Sequence, residues 1–216
     1  MAESQSGRLA LLRRLLALSR TGLHFAGAQY RGDANGVFDR ERYEEIGEIA
    51  AQLLALHSDA PVGELLNAWR NDDGYITPKI DVRGAVFRDN KILLVRERSD
   101  GKWTLPGGWA DVNETPTQAV EKEIVQESGF VAKATKLAAV YDRNKRNLPP
   151  SFFHGWKLFF ICNLVGGAAQ ISNETDAVEF FALDSLPELS QGRSTAWQIE
   201  RMYAHQREPS LPTEFD

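Results

Sequence analysis

The chain has 216 residues, of which 43% are hydrophobic, and a formal net charge of -5 at pH 7. That length fits one medium domain or a domain with a small accessory, and the apolar content is enough for a packed core. The acidic balance excludes a general attraction to nucleic acid or membranes, and the single cysteine excludes an internal disulfide framework. We therefore expect a cytoplasmic protein that acts on a small molecule.

The first 73 residues predict three helices, at residues 6–29, 39–57 and 62–69. Asp39 is placed to cap the second helix. The leucine face of the first helix is too wide for a lone surface helix, so we expect an accessory domain that forms a homodimer through this face. The alternative is a helical region packed on its own catalytic domain. Three aromatic side chains are expected in the helical core: Phe38, Tyr43 and Trp69.

The hydrophobic period changes to two after Pro78, which predicts strands rather than helices. Strands are expected at residues 80–87, 91–97, 103–105, 131–142, 154–165 and 177–183. Gly166 and Gly167 read as a turn, and a helix at residues 195–206 closes the domain. The tail from residue 207 contains two prolines and is expected to fray.

Between the strands, a glycine turn leads into one strongly marked helix. Thr115 is a good N-cap, Pro116 suits the first helical position, and Gln118 completes a capping box. Gly129 suits the left-handed residue just past a helix end. The sequence therefore predicts a helix from Pro116 to Ser128.

Glu123 and Glu127 share one face of this helix, beside the apolar stripe of Val120 and Ile124. One interpretation is a solvated helix edge. However, like charges four residues apart destabilise a helix, and Lys122 is the one cation inside it. Carboxylates at the rim of the core need a counter-charge, and hard oxygen ligands suit Mg²⁺, with Mn²⁺ as a substitute.

The spacing of this stretch resembles the signature of the Nudix hydrolase family: Gly, five residues, Glu, seven residues, then Arg-Glu-apolar-any-Glu-Glu-any-Gly-apolar. Seven of its nine defined positions match, in the series Gly108, Glu114, Lys122, Glu123, Ile124, Gln126, Glu127, Gly129 and Phe130. The departures are Lys122, where the family usually has Arg, and Gln126, where it has a Glu that often ligates metal. Lys keeps the charge but loses the planar fork, and Gln removes one negative charge.

The resemblance implies an α+β fold, a Nudix αβα sandwich with a mixed sheet, preceded by a small all-α domain. The run GYITPKIDVRGAVF at 74–87 resembles a subgroup with a helical N-terminal region, which includes CDP-choline and ADP-ribose pyrophosphatase-like members. We accordingly expect a helical accessory or dimerisation domain at 1–73, a Nudix domain at 74–206 and a flexible tail at 207–216.

The resemblance also implies a set of site residues. The expected metal ligands are Glu123, Glu127, the Gly107 carbonyl and, more weakly, Gln126, with Glu114 orienting the loop or holding an outer metal water. Lys122 is expected to support the catalytic glutamates. The general base often lies in a later loop, where Glu174 is the candidate and an ordinary loop residue the alternative. The expected substrate-binding residues are Arg83, Arg96, Arg98 and Trp109, for which solvated cations and a packing tryptophan are the alternatives.

These residues predict a metal-dependent hydrolase that cleaves the diphosphate of a nucleoside diphosphate linked to another moiety, of ADP-ribose or CDP-choline type. The products would be a nucleoside monophosphate and a phosphorylated compound. A different reading is a catalytically weakened Nudix-fold module that binds or senses a nucleotide, because Gln126 removes a metal-binding charge. Activity on RNA ends is a further possibility that the acidic net charge does not favour.

Overall fold

The computed structural model describes residues 2–29, 34–56, 61–71, 76–145 and 154–216. The chain divides into two compact units. One is a helical unit that ends at Pro78, and the other is an α/β unit that holds residues 79–145 and 155–216. The division falls five residues after the boundary expected from the sequence, because the sheet begins at Lys79.

The helical unit contains α1 (Ala2–Gln29), α2 (Ala34–Ala55) and α3 (Val62–Arg70). Helix α2 begins five residues earlier than expected, so Asp39 is not its cap. Instead Asp39 lies within the helix and accepts a 2.9 Å hydrogen bond from Arg42 Nη1, three residues later. The expected end of this helix at His57 lies outside the described residues.

The core of the helical unit is formed by buried apolar residues from all three helices: Leu12, Leu16, Ala50, Ala51, Leu54, Leu65 and Trp69. Phe38 is 56% exposed, so its predicted place in this core is wrong. Tyr43 instead lies partly buried against Gly22, where an added Cβ would meet its ring at 2.4 Å. Of the helices in the described ranges, none is long and apolar enough to cross a bilayer.

The described part of the second unit contains seven strands: β1 (Lys79–Arg88), β2 (Lys91–Glu97), β3 (Trp103–Thr104), β4 (Phe130–Asp142), β5 (Gly155–Gly167), β6 (Thr175–Phe181) and β7 (Glu214–Phe215). They form one mixed sheet in the order β3-β2-β1-β5-β4-β7, with β6 also paired to β2. Strand β1 runs parallel to β5 and antiparallel to β2, and β4 runs antiparallel to β5.

Successive residues of a strand point to opposite faces of the sheet, so their side chains pack in two separate cores. Val82 and Val86 of β1 pack with Val120 and Ile124 of α4 (Pro116–Ser128) on one side of the sheet. Ala85 of the same strand packs on the other side, with apolar residues of α5 (Ala196–Arg207). A helix therefore covers each face of a mixed sheet, and the expected αβα sandwich is confirmed.

Two segments differ from expectation. The glycine pair 166–167 is not a turn but the end of β5, where Val131 and Phe130 pair with it. The tail is tied to the sheet rather than frayed: Glu214 and Phe215 pair with β4. Glu214 also accepts hydrogen bonds from Arg201 and, at 2.6 Å, from the Tyr141 hydroxyl. These charge-assisted contacts hold a tail whose composition alone suggested mobility.

Cys162 is buried in β5 among apolar residues of the α4 side of the sheet. Burial raises the pKa of its thiol to about 12, and Glu121 adds to the effect. The thiol therefore stays protonated and unreactive at neutral pH.

Candidate active site

The glycine turn lies directly on β1. The N–H of Val82 donates to Gly108 O at 2.8 Å, and the N–H of Gly84 donates to Pro106 O at 2.9 Å. Between these bonds Gly107 has φ +142, and a Cβ added there would lie 2.0 Å from Val82 O. Only glycine fits this backbone position, which fixes the turn against the strand.

Helix α4 begins and ends where the sequence predicts. Thr115 and Gln118 form the reciprocal capping box, and Gly129 has φ 72. The cap positions the helix so that Glu127, 4% exposed, accepts a 2.9 Å hydrogen bond on Oε2 from the Gly107 N–H. The carboxylate of Glu127 therefore lies at the glycine turn, although 20 residues separate the two in sequence.

Glu123 lies one turn earlier on the same face of α4. Its Oε2 is 3.1 Å from the position that a Cβ on Gly108 would occupy. The missing side chain of Gly108 thus leaves room for this carboxylate beside the turn. The structure therefore brings Glu123 and Glu127, the two glutamates predicted as metal ligands, to the backbone of the glycine turn.

Two further glutamates surround this pair. Glu97, at the end of β2, is 6% exposed and interacts electrostatically with Glu127. Glu174 is exposed, and its charge raises the pKa values of both Glu123 and Glu97. The Glu174 loop is fixed to the end of α4, because the Thr175 hydroxyl donates a 2.7 Å hydrogen bond to Glu127 O.

Electrostatic interactions connect these carboxylates. The pKa of Glu127 is raised to about 8, mainly by burial, with Glu123 and Glu97 adding to the rise and Arg83 opposing it. Burial also raises the pKa of Glu123, with Glu174 adding to the rise. The site therefore holds more negative charge than its neighbours balance.

This donor set fits a hard divalent cation. Within the described ranges no three His, Cys, Asp or Glu side chains are close enough together to form a complete metal site. Mg²⁺ does not require one, because it keeps several waters and binds through one or two carboxylates plus substrate phosphates. Glu123 and Glu127 could supply those carboxylates, and a cation there would offset the burial that raises their pKa values.

Arg83 is not placed to bind substrate. Its side chain is 5% exposed, and it holds both oxygens of Asp81, at 2.7 and 3.2 Å. The remaining nitrogen donates to Leu105 O at 3.1 Å. Alternation puts residues 81 and 83 on one face of β1, so the pair forms within the strand. Arg83 instead acts as a buried counter-charge that lowers the pKa of Glu127.

A buried lysine completes this network. Lys157 of β5 is fully buried, and its Nζ donates at 2.8 Å to Asp81 Oδ2 and at 2.8 Å to Arg193 O. The pKa of Lys157 is lowered to about 8, mainly by burial, with Arg83 adding to the decrease and Asp81 opposing it. The side chain of Arg193 extends to Glu97 at 3.1 Å, so one residue connects the lysine to the carboxylates.

Lys122 and Glu114 fix the loop between the glycine turn and α4. Lys122 Nζ lies 2.7 Å from Glu114 Oε1 and 2.8 Å from Asp111 Oδ2. Its hydrogen bonds to these carboxylates raise its pKa. Glu114 Oε2 is buried without a hydrogen-bond partner in the described part of the chain. This orphaned oxygen, whose desolvation is uncompensated, fits the idea that Glu114 faces a metal-bound water.

Gln126 lies at the edge of the glutamate face. It is exposed and lines an open groove with Val125, Val131 and Lys133. The helical step explains this, because Gln126 is rotated by about 100° from Glu127 and by about 60° from Glu123.

The other predicted substrate-binding residues are Arg96, Arg98 and Trp109. Arg96 is paired with Asp176 at 2.6 Å, and Arg98 donates to Ser172 O at 3.2 Å, so both support the loop that carries Glu174. Trp109 is 46% exposed, with its ring 3.3 Å from the position of a Cβ on Gly155. Nearly half of its surface is therefore accessible to solvent.

Sequence reasoning missed Glu97, Asp81, Lys157 and Arg193. The spacing of Asp81 and Arg83 on one strand face was a usable signal for a buried pair. Glu97 is the last residue of β2 and stands between two arginines, Arg96 and Arg98, that were candidates. Parallel pairing of β1 with β5 places Lys157 opposite Asp81, and Lys157 also donates to Arg193 O in the loop before α5; no local pattern reveals these contacts.

Comparison with known proteins gives two family matches. Residues 77–203 match the NUDIX domain, and residues 8–69 match a UDP-X-like N-terminal oligomerisation domain. Over 216 residues, which is all of both chains, the sequence is 38% identical to a Bacillus subtilis (strain 168) protein named "Putative ADP-ribose pyrophosphatase YjhB".

Two solved structures are also similar. A UDP-X diphosphatase is 35% identical, with a TM-score of 0.61, over 98% of this chain and 99% of that one. An ADP-ribose pyrophosphatase from Streptococcus suis 89-1591 is 42% identical, with a TM-score of 0.60, over 65% of this chain and 100% of that one.

Proposed function

Because this chain belongs to the Nudix hydrolase family, we propose that it hydrolyses the diphosphate of ADP-ribose or a closely related conjugate. The products would be a nucleoside monophosphate and a phosphorylated second product. The observation that carries the proposal is the convergence of Glu123 and Glu127 on the glycine turn, with Glu97 and Glu174 beside them. The relatives named for ADP-ribose and UDP-X support this substrate class, and CDP-choline stays a prediction from the sequence.

Each residue has a distinct task in this reaction. Glu123 and Glu127 would hold Mg²⁺ or Mn²⁺. When bound, the ion would neutralise phosphoryl charge and acidify a water. Glu174 is exposed at the mouth of the site and would accept the proton of the attacking water. The water oxygen bonds to one phosphorus as the P–O–P bridge to the other breaks, and the bridging oxygen leaves with the second phosphate.

The carboxylates need a fixed frame to hold this geometry. Gly107 fixes Glu127, and Thr175 fixes the Glu174 loop to the end of α4. Lys122 holds Glu114 and Asp111, which supports a positioning role for the lysine rather than a catalytic one. Held in this way, the site needs little rearrangement on binding.

Turnover on a defined panel tests the function directly. ADP-ribose, a UDP-sugar and CDP-choline would be incubated with Mg²⁺, with Mn²⁺ and with EDTA, and products separated by chromatography. We expect one conjugate to give a monophosphate with either metal and none in EDTA. Glu127→Gln should reduce kcat at least about a hundredfold. If wild type cleaves no conjugate under any condition, the proposal is wrong.

The helical unit supports a second part of the proposal, that the protein acts as a homodimer. Apolar side chains are exposed along α1, with Leu11 at 67%, Leu18 at 49% and Phe25 at 49%. Such a surface on a helix is costly in water, and a second copy is the occupant that the oligomerisation-domain match favours.

Light scattering after size exclusion tests the dimer. The double variant Leu11→Glu/Leu18→Glu should elute as a monomer where wild type is a dimer. Glu44→Lys is the matched control, because Glu44 is an exposed residue of α2 that is paired with Arg40. A monomeric wild type, or a double variant that still dimerises, would contradict this assignment.

A further inference from the structure

Glu97, the last residue of β2, lies on the face of the sheet that α4 covers. Leu93 of the same strand packs in the core formed with α4, and alternation brings residue 97 to the same face. The pairing of β2 with β6 skips Asp176, so Thr175 lies opposite Glu97. Because the Thr175 hydroxyl donates to Glu127 O at 2.7 Å, the end of β2 lies beside the last turn of α4.

The carboxylate of Glu97 is buried but only partly paired. The residue is 6% exposed, and its Oε1 lies 3.1 Å from Arg193 Nε. Among the residues that the structure describes, none donates a hydrogen bond to Oε2 of Glu97. A buried carboxylate is stable when further donors reach it, and water molecules can supply them.

The guanidinium of Arg193 is fixed by the turn that follows Glu97. Its Nη1 donates to Asp100 Oδ2 at 3.3 Å, and its Nη2 donates to Ser99 Oγ at 3.1 Å. The backbone of Arg193 is held as well, because Lys157 Nζ donates to its carbonyl oxygen at 2.8 Å. A planar guanidinium held at both ends directs its remaining nitrogen, Nε, at one oxygen of Glu97.

The position of Glu97 suits contact with the metal site through water. Its charge adds to the rise in the pKa of Glu127, so the two carboxylates are near each other. They are not part of a set of three direct ligands in the described ranges. Mg²⁺ and Mn²⁺ prefer six oxygen ligands, so two carboxylates leave positions for water, and carboxylates beyond the direct ligands orient such waters.

We propose that Glu97 is an outer carboxylate of the metal site, where it accepts a hydrogen bond from a metal-bound water, and that Arg193 is the positioning residue that holds it. This inference rests on the proposed function only for the metal ion at Glu123 and Glu127. It brings the loop before α5 into the site, although that loop lies outside the Nudix signature.

Binding of Mn²⁺ without substrate tests this role apart from turnover. Free Mn²⁺ would be measured by electron paramagnetic resonance during titration of wild type and each variant. Glu97→Gln should weaken Mn²⁺ binding about tenfold or more. Arg193→Ala should weaken it about fivefold or more, and Arg193→Lys should fall between, because lysine keeps the charge and loses the fork.

The sign of the Arg193→Ala effect is diagnostic. Loss of a positive charge near a cation site would by itself tighten Mn²⁺ binding, so weaker binding shows that Arg193 acts through the position of Glu97. Combined with Glu97→Gln, Arg193→Ala should therefore weaken binding less than about twofold further.

Two control variants change charges that the inference does not use. Asp100→Asn removes the other carboxylate that Arg193 contacts, one whose side chain is 33% exposed. It should change the dissociation constant of Mn²⁺ less than about threefold. Arg207→Ala removes an exposed arginine from the end of α5 and should change it less than about twofold.

Thermal unfolding of each variant shows whether the fold persists. Should Arg193→Ala not fold, Arg193→Lys and Glu97→Gln carry the test. The inference is wrong if Glu97→Gln weakens Mn²⁺ binding no more than Asp100→Asn does, or if Arg193→Ala leaves it unchanged or tighter. It is equally wrong if wild type binds no Mn²⁺.

The metal titration separates this inference from the proposed function. Mn²⁺ binding that depends on Glu97 and Arg193, in a protein that cleaves no conjugate, would overturn the function and support the inference. Cleavage of a conjugate, with Mn²⁺ binding unchanged in Glu97→Gln, would support the function and overturn the inference.

Discussion

The N–H of Gly107 donates a 2.9 Å hydrogen bond to Oε2 of Glu127, joining the glycine turn to the last turn of α4. The bond fixes one oxygen of a carboxylate that is 4% exposed and directs the other away from the Gly107 amide. The orientation of Glu127 is therefore set by the backbone of the turn. The packing of α4 on β1 in this way determines where the carboxylate lies.

Gln126 distinguishes a working enzyme from a weakened nucleotide-binding module. Its side chain is exposed in an open groove at the edge of the glutamate face. We expect Gln126→Glu to change kcat less than about threefold, because an exposed charge is screened. The measurement is initial rate against metal concentration. A large rise in activity would instead show that the natural residue impairs metal binding.

Gly108→Ala is predicted to reduce activity more than stability. The added methyl would lie 3.1 Å from Glu123 Oε2, so the end of this carboxylate must move. We expect kcat to fall at least about tenfold, with a change in the free energy of unfolding below about 1 kcal/mol.

Gly166→Ala is the matched control for this change, since a Cβ there meets no atom within 4 Å. Urea unfolding and steady-state rates on both variants provide the comparison. Equal rates for Gly108→Ala and wild type would mean that the position of Glu123 is unimportant.

Glu174→Gln is predicted to lower kcat about a hundredfold or more, with little effect on KM, because a general base acts in the transition state. Glu179→Gln, an exposed position on β6, removes the same charge and should be near wild type. Initial rates over a range of substrate concentrations provide kcat and KM for both variants. A kcat of Glu174→Gln close to that of wild type would assign the proton transfer to another group.

Glu214 is predicted to make stability fall in acid. Burial alone would raise its pKa, but Arg201, Tyr141 and His205 outweigh it and lower the pKa to about 2. A lowered folded-state pKa contributes stability above the unfolded value near 4.5, and the contribution is lost as pH falls from there to about 2. Glu214→Gln should therefore cost about 1–3 kcal/mol at pH 7 and much less at pH 2.5.

The measurement is urea unfolding of the two proteins at pH 7, 4 and 2.5. Glu200→Gln, at an exposed position on α5, provides the comparison for loss of a single carboxylate. A difference between wild type and Glu214→Gln that stays constant across this range would show that the ionised carboxylate is not the source of stability.

Local rules predicted α4 and its glutamates well, since Thr115, Gln118 and Gly129 act within one turn of the helix ends. The same rules failed where pairing partners lie far apart in sequence. Arg83 was predicted to bind substrate, because its face of β1 is buried only after β5 pairs alongside and brings Lys157 to Asp81. The tail read as loose because its anchor, Glu214, depends on Arg201 in a helix and Tyr141 in β4.

The burial of Cys162 has a practical consequence for studying this protein in solution. The sequence contains no other cysteine, and a protonated, enclosed thiol reacts poorly with maleimides. A cysteine introduced at an exposed site, such as Asn173 beside Glu174, would therefore take up a fluorophore or spin label without removal of the native residue. Distance measurements from such a label to a second one on α4 would report how far the Glu174 loop moves when a nucleotide binds.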